Sequence, residues 1–228
     1  MPLGDTPYIY RGSQEDLKRL FYSDPNRALA KIITIPAGYG VVKAGAVMAM
    51  ISEGGDRQDQ YVPYVPFDST GMAAALSDVP GLAYLTAAPG SGSEGQVTMD
   101  DSYKFKVNDY LTSSDSDQGN VDLGQISAID RTTYSHVAAI TVGGSFDSET
   151  LAKGAAITIQ SSSSTPYVDA VGILKATVDC GTGENAKGAQ GVLIIKNAML
   201  YKNSLYNYNA DVLTDLTGSV ENGPYLVM

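Results

Sequence analysis

Short apolar runs, separated by turn residues, are the dominant pattern along this chain. Val137–Val142, Ala170–Leu174 and Gly191–Ile195 are continuous apolar runs, each about as long as one strand. Runs of this kind, rich in β-branched residues and bounded by turn residues, are typical of buried strands. The same pattern predicts further strands at Lys31–Ile35, Ala46–Ile51, Ala155–Ile159, Ala198–Tyr201 and Tyr225–Met228. The chain is therefore predicted to be mostly β.

Residues 100–165 carry a strand pattern of their own, and Gly- and Ser-rich stretches flank them. Tyr103, Phe105 and Val107 alternate with polar residues, and further strands follow as far as Ile159. The flanking stretches, 89–95 and 161–166, have the composition of linkers, and residues 71–100 as a whole indicate loop. We therefore predict an inserted β-barrel or sandwich domain at 100–165 within a discontinuous core domain of residues 36–99 and 166–228.

Two short helices are predicted near the ends of the chain. Ser13 precedes acidic residues, and Leu17, Leu20 and Phe21 follow at helical spacing. Asn209 is a candidate N-cap for a second helix over residues 210–216. A helix this short is marginal alone, so the first one is expected either to dock on another surface or to fray. Residues 1–35 are predicted to form an N-terminal arm.

Charge and cysteine usage exclude several classes of function. The formal net charge is −10, which disfavours binding to phosphate backbones, so no nucleic-acid partner is expected. The single cysteine, Cys180, cannot form an intramolecular disulfide and fits a reducing compartment. No apolar run is long enough for a spanning helix, and the first residues lack a signal-peptide pattern. We expect a protein made soluble in the cytoplasm, with no membrane partner.

The residues that could carry catalysis or bind a metal are few. His136 is the only histidine and begins an apolar strand, where a packing or surface role is the more common one. One histidine and one cysteine do not make a zinc site. Residues Asp115–Asn120 resemble the start of a calcium loop, but Gly119 comes one place early and Ile126 stands where the bidentate Glu belongs. No catalytic residue, metal or cofactor is predicted. A hydrolase on a β scaffold is kept as a third hypothesis, after the two functions given at the end of this section.

Tyrosines are abundant and group near segments with edge-strand character. The chain has 15 tyrosines, and tyrosine supplies large contact area at low entropy cost in protein interfaces. Residues 61–67 alternate aromatic or β-branched residues with prolines, which favours an edge strand or an extended arm. Ordinary strand propensity explains such tyrosines equally well. Six aromatic residues are predicted at a trimer or core interface: Tyr61, Tyr64, Phe67, Tyr201, Tyr206 and Tyr208.

Two segments near the C-terminus, Tyr167–Ala176 and Gly191–Tyr201, resemble the core of lambda-type phage head decoration proteins. The upstream strand Lys43–Met50 and the extended piece Tyr61–Asp68 are similar to that family as well. Residues 100–165 depart from the small family members and are interpreted as the insertion. The resemblance implies a β-tulip-like sandwich or barrel core with an extended arm and one or two short helices.

The same resemblance implies a function on the exterior of a virion. Family members bind expanded capsids at local three-fold axes, usually as trimers, and an N-terminal arm pairs with strands of the major capsid protein. The expected partners are therefore the major capsid protein and the chain itself. The residues predicted for the capsid-binding arm are Leu17, Leu20, Phe21, Ile32, Ile33 and Ile35. The alternative is another virion appendage or a host-surface-binding module that uses residues 100–165.

Overall fold

A computed structural model describes residues 20–22, 28–53, 55–68, 71–72, 79–89, 92–115, 119–144, 146, 151–160, 170–209, 212, 214–216 and 225–227. Within these residues the chain is mostly β, as predicted. In chain order the strands are β1 Leu29–Ile35, β2 Val41–Val42, β3 Val47–Met50, β4 Tyr61–Pro63, β5 Phe67–Asp68, β6 Gly71–Met72, β7 Ala83–Tyr84, β8 Glu94–Thr98, β9 Tyr110–Asp115, β10 Gly119–Asp130, β11 Val137–Val142, β12 Ala156–Ile159, β13 Ala170–Leu174, β14 Val178–Asp179, β15 Ala189–Lys196, β16 Ala198–Leu200 and β17 Tyr225–Val227.

Helical structure among the described residues is short. One α-helical turn, α1, spans Met99–Ser102, and 3-10 turns span Gly55–Arg57, Gly183–Asn185 and Lys202–Ser204. Residues 212 and 214–216 are also helical, and the Asn209 side chain accepts a hydrogen bond from Val212 N at 3.1 Å, which confirms the predicted cap. Most of the predicted first helix lies outside the described residues. None of the described helices has the length and apolar composition needed to cross a bilayer.

The first sheet, sheet 1, is antiparallel and combines strands from both ends of the chain. Its order is β1-β15-β13-β3-β4, with β1 and β4 at the edges. Tyr61–Pro63 is thus the edge strand that its prolines predicted. The two edges approach each other, because Lys31 Nζ on β1 lies 2.5 Å from the Tyr61 hydroxyl on β4.

The second sheet, sheet 2, is formed by consecutive strands in the middle of the chain. Its order is β7-β12-β9-β10-β11-β8. Thr86, just after the edge strand β7, donates a backbone hydrogen bond of 2.9 Å to Gln96 O on the opposite edge strand, β8. The sheet therefore curls until its edges are linked. Because it begins at residue 83, it includes two strands that precede the boundary predicted at residue 100.

Two local predictions within sheet 2 are wrong for stated physical reasons. Residues 94 and 95 end the predicted Gly/Ser linker and 96–98 belong to the predicted loop region, yet 94–98 form β8. A Cβ on Gly95 would lie 2.7 Å from the Phe146 ring. Glycine at this position makes room for an aromatic side chain. Residues 103–107 were predicted as strand, yet they form turns, in which Phe105 N donates to Ser102 O. The backbone bonds locally there instead of joining a ladder.

One continuous hydrophobic cluster joins the two sheets. It includes Ile35, Met48 and Ile173 from sheet 1 together with Leu111 and Ile140 from sheet 2, all buried. A buried ion pair also crosses the junction, since Arg57 precedes β4 and its Nη1 atom lies 3.0 Å from Asp109 Oδ2 just before β9. The sheets are therefore packed against each other and not merely tethered.

Candidate functional site

The strand β16 forms the base of a surface at which the N-terminal and C-terminal segments converge. Residues 20–22 run antiparallel to it, with Tyr22 N donating to Met199 O at 2.9 Å and Tyr201 N donating to Leu20 O at 3.1 Å. On its other side β16 pairs in parallel with β17. The backbone of the earliest described segment is therefore held on the body by hydrogen bonds.

The turn before β3 completes this surface. Tyr206 N donates to Gly45 O at 2.9 Å, and Val47 N donates to Tyr206 O at 3.1 Å. Gly45 has φ +89°, and a Cβ there would lie 2.1 Å from Ser204 O. Glycine is required at this position both by its left-handed conformation and by the close approach of the two backbones. Residues 43–46 and 204–206 are consequently held in direct contact.

Exposed tyrosines cover this part of the surface. Tyr22, Tyr201 and Tyr206 are 53 %, 40 % and 45 % exposed, and Tyr208 beside them is half-buried. The Tyr22 and Tyr201 rings pack edge to face with their centroids 5.4 Å apart. We name these four tyrosines the tyrosine face. Buried apolar side chains, among them Leu20 and Leu200, hold the backbone beneath it.

Three lysines accompany the aromatic rings. Lys43 Nζ lies 5.3 Å from the Tyr206 ring centroid, and Lys202 Nζ lies 5.6 Å from that of Tyr208. Lys175 Nζ lies 6.0 Å from the ring of Phe21, which is buried under the face. Each distance is within the range of a cation–π contact. Residues 20–22, 43–46 and 196–209, which form the face, contain no Asp or Glu.

The structure separates the six aromatic residues predicted as an interface. Tyr201, Tyr206 and Tyr208 lie in the surface segment 201–208 and are part of the tyrosine face. Tyr61 and Tyr64 are instead buried in the core of sheet 1, where packing accounts for them. The backbone of Phe67 lies in β5, and its side chain is outside the described residues.

The residues predicted for a capsid-binding arm are mostly part of the core. Leu20, Phe21, Ile33 and Ile35 are buried, so their side chains offer no surface to a second protein. The reason is that residues 29–35 form a full strand of sheet 1, with Ile33 and Ile35 pointing inward. Ile32, on the outer face of the same strand, is 69 % exposed. Leu17 lies outside the described residues, as does every residue before 20.

Sequence reasoning missed several residues of the face. Tyr22, Lys43, Lys175 and Lys202 come from separate segments of the chain, and no local pattern connects them. Tyr22 had one signal, because it follows Phe21 in a stretch already considered as a contact. Lys43 and Lys175 had none, since they meet Tyr206 and Phe21 only through long-range contacts in the fold. Lys202 is only six residues from its partner, Tyr208, but that spacing fits no recognised motif.

The ionisable groups inside the molecule serve packing between the sheets. Asp109 Oδ2 accepts hydrogen bonds from Arg57 Nη1 at 3.0 Å and from Lys106 N at 2.7 Å, while Oδ1 has no hydrogen-bond partner. Burial outweighs the neighbouring positive charges and raises the pKa of Asp109 to about 6. Burial likewise raises the pKa of the Cys180 thiol to about 12, so this thiol is not a thiolate at neutral pH.

Metal and catalytic candidates do not gather around a common point in the described part of the chain. Over those residues no group of three His, Cys, Asp or Glu side chains is placed to hold a metal ion. His136 is exposed at the start of β11, and its carbonyl accepts a hydrogen bond from Met99 N at 3.1 Å. Residues 116–118 of the candidate calcium loop lie outside the described residues. The tyrosine face is therefore the candidate site that the geometry supports best.

Comparisons with protein-family models, with curated protein sequences and with solved structures find no match to this chain.

Proposed function

We propose that this chain is a non-enzymatic structural protein of a phage virion. It binds the exterior of the expanded head as a homotrimer at local three-fold axes and stabilises the expanded lattice. Because it binds one state of the lattice and not the other, mass action favours the bound state. Three copies acting together convert modest single-site affinity into firm attachment.

The observation that carries this proposal is the tyrosine face at the point where residues 20–22 join the body. Exposed tyrosines packed edge to face over a buried base form a rigid aromatic surface, and such residues dominate the energetics of protein interfaces. Tyr22 and Tyr201 already restrict each other's rotation, which lowers the entropy lost on binding.

The arrangement of the resembling segments gives further support. The strands β3, β13 and β15, which carry the resemblance to decoration proteins, are neighbours in sheet 1. Segments more than a hundred residues apart in the chain therefore meet in one sheet, as a shared core requires. We propose that sheet 1 is the decoration-protein core and that sheet 2 is the insertion.

The sequence-based expectation was that residues 32–35 leave the body and pair with a capsid strand, but these residues already form part of β1 in sheet 1. Within the described residues β1 forms a strand ladder only with β15, and the Lys31 side chain alone links it to the other edge strand, β4. We propose that a capsid strand adds at the edge of β1 away from β15, where backbone hydrogen bonds supply affinity and the exposed Ile32 supplies a side-chain contact. The inward-facing Ile33 and Ile35 are buried, so this form of the proposal does not use their side chains.

The proposal is tested with heads of the phage that encodes the chain, prepared without it in expanded and unexpanded forms. Wild-type protein is expected to be a trimer by light scattering and to bind saturably to the expanded form alone. The variant Tyr201→Ala/Tyr206→Ala is expected to bind about tenfold more weakly or worse. Tyr134→Ala is the matched control, because Tyr134 is 41 % exposed and belongs to sheet 2's β10–β11 turn.

Two results would contradict the proposal. Wild-type protein that does not bind expanded heads would reject the function itself. Equal binding by the double tyrosine variant and by Tyr134→Ala would reject the tyrosine face as the contact surface. Circular dichroism of both variants ensures that a loss of binding is not a loss of fold.

A further inference from the structure

The charge on the tyrosine face differs in sign from that of the whole chain. The formal net charge is −10, yet the described segments that carry the face, residues 20–22, 43–46 and 196–209, contain Lys43, Lys196 and Lys202 and no carboxylate. Lys175 lies against Phe21 under the same surface. A basic area on an acidic molecule produces a local field that an approaching charged surface encounters before contact.

The lysines are held in place by the aromatic rings. Lys43 and Lys202 are exposed, and each ammonium group lies over the ring of a neighbouring tyrosine. A cation–π contact at an exposed site is weak, but it restricts the lysine while its N–H groups stay accessible. Part of the side-chain entropy that lysine ordinarily loses on binding is thereby lost in advance.

From these observations we propose that the tyrosine face binds an acidic protein surface, with Lys43 and Lys202 pairing to carboxylates on the partner. This rests on the proposed function, and it specifies that the capsid exterior presents acidic side chains where the face docks. Charge complementarity supports the choice of partner, because the described segments that carry the face offer cations and aromatic area and contain no Asp or Glu.

The overall acidity of the chain makes this contact selective. Most of the surface of a protein with net charge −10 repels an acidic partner, so attraction is confined to the basic face. Electrostatics of this kind orient the two proteins before contact and suppress other docking geometries. A nucleic acid is a less favoured partner than an acidic protein surface, because its dense, continuous phosphate charge would extend beyond the face onto the acidic remainder of the chain.

The test measures binding of the full chain to expanded heads prepared without it, at about 50 mM and about 300 mM salt. The variant Lys43→Glu/Lys202→Glu reverses two charges on the face. The control Lys153→Glu/Lys187→Glu reverses two exposed lysines elsewhere and changes the net charge by the same amount. Lys187 lies 3.4 Å from Asp179 in an exposed pair, so its loss is expected to have little effect on stability.

We expect the face variant to bind about tenfold more weakly or worse at the lower salt concentration, and the control to stay within about twofold of wild type. Wild-type binding should weaken at the higher salt concentration. Equal losses of binding in both variants, or no loss in either, would overturn the inference about the acidic partner. If the wild-type protein still binds expanded heads, the proposed function is not affected by that result. Absence of wild-type binding would reject both.

Two further measurements identify a different occupant. Light scattering on the face variant reports whether its trimer is intact; a monomer would show that a second copy occupies the face, which overturns the inference. Competition by duplex DNA for wild-type binding would show that the face recognises phosphate, which overturns it as well. An intact trimer, no competition by DNA and a selective loss of head binding would together support it.

Discussion

Replacing Asp109 by asparagine is expected to remove a pH dependence that the buried junction between the sheets imposes on folding stability. Asp109 is 1 % exposed, and its Oδ2 atom is bound by Arg57 Nη1 and Lys106 N. Its other carboxylate oxygen, Oδ1, has no hydrogen-bond partner. Burial of a carboxylate with one oxygen lacking a hydrogen bond disfavours the charged form. This cost exceeds the stabilisation of the charged form by the single nearby cation, Arg57.

The direction and size of the effect follow from the pKa of Asp109. Burial raises it from an ordinary value of 3.8 to about 6, so the native state binds this proton more tightly than the unfolded state. The stabilisation from Asp109 is therefore complete below pH 3.8 and is lost as the pH rises through 6. At about 1.4 kcal/mol for each pKa unit, the total loss is about 3 kcal/mol, most of it between pH 4 and pH 6.

Urea unfolding followed by circular dichroism at pH 4, 5, 6 and 7 measures this effect. Other carboxylates also titrate in this range, so the quantity to follow is the difference in unfolding free energy between wild type and Asp109→Asn. The unfolding free energy of wild type minus that of Asp109→Asn should fall by about 2 kcal/mol from pH 4 to pH 7. A constant difference would refute the reasoning, and an opposite slope would show that pairing with Arg57 outweighs burial.

Asp130→Asn is the control with the opposite sign. Hydrogen bonds from Thr133 and Thr132 hold the pKa of the Asp130 carboxyl well below its ordinary value. Its stabilisation is therefore present above the unfolded pKa and is lost as the pH falls. The difference between wild type and Asp130→Asn should stay flat from pH 5 to pH 7 and shrink below about pH 4.

Two other pairs of substitutions test the fold by urea unfolding. Ile33→Ala should lower the free energy of unfolding by about 2–5 kcal/mol because Ile33 is buried. Ile32→Ala, on the outer face of the same strand, should lower it by less than about 1 kcal/mol. Similar losses would mean that β1 is not packed as described. Gly45→Ala should be at least about 2 kcal/mol more destabilising than Gly154→Ala. Both glycines have φ +89°, so the backbone strain is the same, but only at Gly45 would the added Cβ lie within 4 Å of a backbone oxygen, that of Ser204. Equal losses there would show that the backbones can separate.

Much of the strand content could be predicted because the strands concerned are buried and therefore continuously apolar. Val137–Val142 and Ala170–Leu174 are strands with the predicted bounds. Glu94–Thr98 was missed, since only Gly95 and Val97 point inward and glycine has no side chain to report burial. Residues 103–107 were wrongly predicted as strand because alternation was counted without the local hydrogen bonds that form a turn.

The candidate site was less accessible to sequence reasoning than the fold. Tyr201, Tyr206 and Tyr208 were identified because they cluster in the chain, but Tyr61 and Tyr64 have the same chemistry and are buried. Residue type does not distinguish an interface tyrosine from a core tyrosine. The distinction depends on whether the rest of the fold covers the segment: residues 61–66 are all buried, whereas residues 201–208 are half-buried or exposed.

By itself, the sequence determined where the continuously apolar strands form, where Asn209 caps a helix and that the molecule as a whole is acidic. These properties depend on local hydrogen bonding, on the alternation or continuity of apolar residues and on a sum of charges. Only the tertiary structure decided that Ile33 is inside and Ile32 outside, and that Arg57 meets Asp109 across the two sheets. It also brought lysines and tyrosines from distant segments onto one face, because contacts between distant residues arise from the pairing and packing of whole strands.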